Sequence, residues 1–174
     1  MKRLAVCLAV AMLATFAAAS PAAAQYAVYY DRDGGGGTAI QRIEVQNGTD
    51  NVWVWIGHKR NLAGDEVYLD TVPSNPGPEY RLRMWANSDG GSIRKVEGFT
   101  AGPGQAMRCD GLKMHSDNYD PGAWSSVRIP QSCLRGPGAV RVATQSWNDR
   151  GAYDDAPNFG DYQGWFTPWI SQAV

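Results

Sequence analysis

The chain has 174 residues with 16 Lys and Arg against 17 Asp and Glu, a formal net charge of −1. That balance offers none of the concentrated basic surface on which nucleic-acid binding relies. After residue 24 no segment approaches the ~20 apolar residues that a bilayer span requires, so no membrane span is expected in the remainder.

Lys2 and Arg3 precede an uncharged apolar stretch from Leu4 to Ala19, and Ser20-Pro21-Ala22-Ala23-Ala24 closes it with an Ala-x-Ala pattern. This is the layout of a secretory signal peptide spanning 1–24. The expected product is a secreted, extracellular chain of residues 25–174, one domain large enough to bury its own core. Loss of the leader leaves 14 Lys and Arg against 17 Asp and Glu, a formal net charge of −3.

Sustained apolar positions at i, i+3, i+4 and i+7 are missing from this region, whereas short runs with strand periodicity recur between turn residues. Strands are expected over 39–46, 51–56, 66–72, 79–85, 92–99, 105–109, 124–129 and 139–144. Asn47-Gly48 marks the first hairpin. About eight strands at this spacing predict an all-β chain, an antiparallel β-sandwich of immunoglobulin-like or jelly-roll-like kind. The segment Asp110 to Ala123 reads as a polar loop. The segment Asp149 to Trp169, rich in Asp, Gly, Pro and aromatics, reads as an irregular tail able to shield a sheet edge. No internal repeat and no second domain is visible.

Cys7 falls in the leader, which leaves Cys109 and Cys133 as the one possible pair in an exported chain. Without CxxC spacing or a His cluster, a structural disulfide is expected rather than a redox pair or a metal site.

Trp53 and Trp55 are the sharpest aromatic feature. Two residues apart on a strand they share a face, about 7 Å from each other. Exposed, they would form a platform for sugar rings, with Trp165 and Trp169 as candidate additions. The competing reading is burial: Val52, Val54 and Ile56 make the other face apolar too, and the aromatic tail could cover the indoles. A partner-protein surface is a third reading.

Acidic residues point to less. Asp31-Arg32-Asp33-Gly34 has the opening of a calcium loop without the downstream ligands. Asp154 and Asp155, near Asp149 and Asp161, would hold Ca²⁺ only if a third carboxylate converged, so no cofactor is assigned. Neither a G-x-S-x-G elbow nor an H-E-x-x-H helix occurs. His58, beside Lys59-Arg60 at a strand end, reads as solvent-facing or capping. Asp70 and Glu79 flank the loop from Pro73 to Pro78 and could act as a hydrolytic carboxylate pair, or could hold the loop by ion pairs and hydrogen bonds. No catalytic residue is assigned.

Several stretches, taken in order, carry a family resemblance: Val67-Tyr68-Leu69-Asp70-Thr71, Gly77-Pro78-Glu79-Tyr80-Arg81-Leu82, Cys109-Asp110-Gly111-Leu112, Val127-Arg128-Ile129-Pro130-Gln131-Ser132-Cys133-Leu134, and Gly136-Pro137 leading into Val140-Arg141-Val142. They resemble small secreted actinobacterial β-sandwich proteins of uncharacterised function. The resemblance implies a β-sandwich with the two cysteines joined, and brings no activity or site residues. The combined expectation is a non-catalytic binding or interaction domain for an extracellular glycan, cell-envelope polymer or protein partner. A carboxylate-pair hydrolase and a purely structural domain are the alternatives.

Overall fold

A computed structural model describes residues 25–31, 40–60, 62–75, 77–100, 102–119, 122–157 and 166–173. The expected leader, the glycine run 34–37, Asp161 and Trp165 lie outside the described residues.

Among the described residues there are twelve strands and one short 3-10 turn. The strands are β1 (Gln25–Tyr30), β2 (Ile40–Asn47), β3 (Asn51–His58), β4 (Gly64–Asp70), β5 (Tyr80–Trp85), β6 (Gly91–Lys95), β7 (Gln105–Ala106), β8 (Lys113–Asp117), β9 (Trp124–Pro130), β10 (Ala139–Trp147), β11 (Tyr153–Ala156) and β12 (Ile170–Ser171). The turn, Gln131–Leu134, follows β9 directly. Two antiparallel sheets result. The first has the order β1-β2-β3-β9-β8. The second runs β11-β10-β4-β5-β6-β7, with β12 also on β10.

Period-two alternation decides which side chains meet. β3 turns Val52, Val54 and Ile56 inward with no exposed surface and leaves Trp53 and Trp55 half-buried on the other side. From the facing sheet, Val67, Leu69, Leu82, Met84, Val140 and Val142 join the same buried cluster, so the two sheets share one apolar core. Each fully buried aliphatic side chain there contributes about 1.5–3 kcal/mol. The disulfide between Cys109 and Cys133, whose Cα atoms lie 5.5 Å apart, ties the approach to β8 to the turn after β9.

Each of the eight expected segments carries a strand, with shifted ends, and four further strands are present. Segment 110–123 is not simply a loop, because β8 lies within it as an edge strand beside β9. Nor is the tail irregular throughout: β11 pairs with residues 144–147 of β10, and just past the tail β12 pairs with 139–140. These pieces are too short to show alternation, and only a partner strand defines them. β1 precedes the first expected strand and pairs with β2 along its whole length. No helix among the described residues is long and apolar enough to cross a membrane.

Candidate functional site on the first sheet

Strand register places the outward side chains of the first sheet in three rows. One row runs Tyr26, Gln46, Trp53, Arg128, Lys113. The next runs Val28, Glu44, Trp55, Ser126, His115, and the third Tyr30, Arg42, Gly57, Trp124, Asp117. Trp53 and Trp55 therefore lie in the middle strand of a face that also carries Trp124 and two exposed tyrosines. The main core takes the other face of β3 and the two indoles are half-buried; residues 158–165 of the aromatic tail, which the burial reading has covering them, lie outside the described residues.

Gly57 explains how Trp55 lies. A Cβ on Gly57 would sit 2.4 Å from the Trp55 ring, so the indole extends along its own strand over the glycine. The Arg42 guanidinium stacks over that ring, 4.8 Å from its centroid, and is itself held by an ion pair to Glu44. Glu44 also accepts the Tyr26 hydroxyl, and that bond raises the Tyr26 phenol pKa above its ordinary value, keeping the phenol neutral. At the far side, His115 packs against Trp124 with ring centroids 4.9 Å apart and pairs with Asp89. The result is a face of half-buried and exposed aromatic rings on which Tyr26, Trp55 and Trp124 are held by neighbouring side chains before any ligand arrives.

Trp169 does not join this face. It stacks on Arg141, 4.9 Å from the guanidinium carbon, on the outer side of the second sheet, where Phe166 flanks the same guanidinium at 4.5 Å. Asp154 and Asp155 do not form a joint Ca²⁺ site either, since successive residues of a strand point to opposite faces. Asp154 accepts the Ile40 N–H at 2.6 Å and Asp155 accepts from Gln145 at 2.8 Å. Among the described residues, no three His, Cys, Asp or Glu side chains gather as a metal site.

The carboxylate pair is likewise committed elsewhere. Asp70 has no exposed surface and accepts two hydrogen bonds from Arg141, at 2.7 and 2.5 Å. Glu79 lines an open cleft of about 660 Å³ beside Tyr80, Val96, Leu134 and Arg135. Its carboxylate accepts from Thr71 N, the Thr71 hydroxyl and Asn75, and so fastens the β4–β5 loop. This corresponds to the loop-holding alternative.

One polar cluster was not foreseen. His58 is fully buried, not solvent-facing: it continues the inward parity of Val52, Val54 and Ile56. Its Nε2 lies 3.2 Å from Asp65, which also accepts the hydroxyls of Ser125 and Ser146. These are the residue types of a hydrolytic triad in the wrong order. Both serines donate to the aspartate rather than to the histidine, and all four side chains are shut off from solvent, so no nucleophile is activated or reachable. The cluster fastens the two sheets together.

No protein-family model matches the chain, and neither a curated protein nor a solved structure matches it.

Proposed function

We propose that this is an exported, non-catalytic β-sandwich domain, immunoglobulin-like or jelly-roll-like, that binds an extracellular glycan or cell-envelope polymer across the outer face of its first sheet. The observation that carries this reading is the placement of the half-buried Trp53, Trp55 and Trp124 on one outward sheet face beside the exposed Tyr26 and Tyr30. There the C–H faces of pyranose rings can stack on the indoles, and Gln46, Ser126 and Arg128 supply hydrogen bonds between them. Proteins of this kind need no assembled chemistry: binding energy comes from apolar ring contact, and orientation from the polar groups alongside.

Sedimentation of the purified protein with insoluble polysaccharides and isolated cell walls tests the reading. Retention reversed by soluble sugar is expected. Each indole removed costs about 1 kcal/mol or more, so Trp53→Ala combined with Trp55→Ala lowers affinity at least about tenfold. The fold survives, because neither ring enters the core. Unchanged retention by a folded double variant removes the platform. Failure of the wild type on every polymer turns the search to co-purifying proteins.

A further inference from the structure

The second sheet carries an aromatic row of its own, independent of the first. Register aligns Tyr153, Trp147, Gly64 and Trp85 across β11, β10, β4 and β5 on the outer side. As at Gly57, the glycine is a bed for an indole: a Cβ on Gly64 would lie 2.3 Å from the Trp147 ring. The adjacent row is polar: Asp155, Gln145, Glu66, Arg83 and Ser92. Arg83 belongs to both rows, its guanidinium carbon 4.6 Å from the Trp147 ring centroid and 5.9 Å from that of Trp85. Trp85 is 46% exposed and Tyr153 60%.

Cations accompany this aromatic row. Arg81, Arg83 and Arg94 stand together on β5 and β6. The Arg81 and Arg94 guanidiniums both donate to the Pro103 carbonyl, and Arg94 also to that of Gly104; neither has a carboxylate partner among the described residues. Two carboxylates lie alongside. Glu66 is nearly buried, accepts the Tyr68 hydroxyl at 2.5 Å and sits 3.8 Å from Arg83. Asp155 is taken by Gln145. The guanidiniums remain in excess beside an exposed indole.

We propose that this face is a second binding surface, and that its ligand is an acidic glycan chain built of uronate sugars. A uronate presents both required groups in one residue, a flat C–H face for Trp85 and a ring carboxylate for Arg83 and its neighbours. A polyol phosphate has the charge without the flat face. Joined to the first-sheet platform, which rests on the reading proposed above, this makes the protein a two-sided binder able to hold two polymer chains on opposite outer faces.

Affinity electrophoresis in gels containing polygalacturonate, or its methyl-esterified form, separates the outcomes. The wild type is expected to be retarded by the acid polymer, and at least about tenfold less by the ester, in which the carboxylates are neutral. Trp85→Ala and Arg83→Gln each weaken retardation to a similar degree, Arg83→Gln also flattens its salt dependence, and Trp53→Ala leaves it unchanged. Thermal melts confirm that each variant is folded. Wild-type retardation that persists in folded Trp85→Ala and Arg83→Gln overturns the second surface, as does no retardation of the wild type. Loss in Trp53→Ala instead places the acid polymer on the first sheet, overturning the second surface while preserving the first.

Discussion

Asp65 has three donors and no exposed surface. Removing the carboxylate leaves two serine hydroxyls and an imidazole buried without an acceptor, each worth about 1–3 kcal/mol. Asp65→Ala is therefore expected to lose about 3 kcal/mol or more of unfolding free energy in denaturant titration, and Asp65→Asn less, since the amide oxygen still accepts. Asp154 acts in the other direction. Burial raises its carboxyl above the ordinary aspartate value, against the opposing Ile40 N–H bond. The folded form thus holds its proton more tightly than the unfolded chain. That contribution is complete below the unfolded value of about 3.9 and is lost as pH rises through the raised folded value. Asp154→Asn keeps an acceptor for Ile40 and removes the titration. Its melting temperature relative to wild type should climb as pH rises above about 4, and parallel curves would contradict the assignment.

At the scale of the strand, two glycines shape two aromatic beds, and their substitutions should differ. At Gly57 an added Cβ meets the far end of the Trp55 side chain, which can swing away. Gly57→Ala should fold normally, change tryptophan fluorescence and weaken polymer retention. At Gly64 the same atom also meets the Met84 carbonyl oxygen at 2.5 Å, which is backbone and cannot yield without disturbing the β4–β5 ladder. Gly64→Ala should cost about 2 kcal/mol, read as a lowered denaturation midpoint. Alternation within the Trp53 strand and the Trp124 strand was legible, since each is long enough to display its period. The same period that turns Val52, Val54 and Ile56 inward also carries His58 inward, against its reading as solvent-facing or capping, and Val127 and Ile129 turning inward sets Trp124 outward. Neither parity says which strands lie side by side, so the joining of Trp124 to Trp55 across Gly57, and of His58 to Asp65 across the core, was not legible.

For the whole molecule, the disulfide closes a separation of 24 residues, joining the crossing from the second sheet into β8 with the end of β9. In the chain-entropy account that closure is worth roughly 3 kcal/mol. Reduction, or Cys109→Ala with Cys133→Ala, should lower the unfolding free energy by about that amount while the apolar core keeps the chain folded; an unchanged denaturation midpoint would deny the bridge a stabilising role.

By itself the sequence determined the strand class, the disulfide pairing and the inward and outward faces of the longer strands. These depend on local period, turn residues and having two cysteines to pair. Tertiary structure alone decided that β9 lies beside β3, that β10 lies beside β4, and that β12 from the end of the chain joins β10. Those pairings join segments far apart in the chain through backbone hydrogen bonds, which carry no residue-specific mark. The aromatic rows, the Arg83 position between two indoles and the buried Asp65 cluster all arise from such pairings, so the surfaces proposed to bind exist only once the sheets have formed.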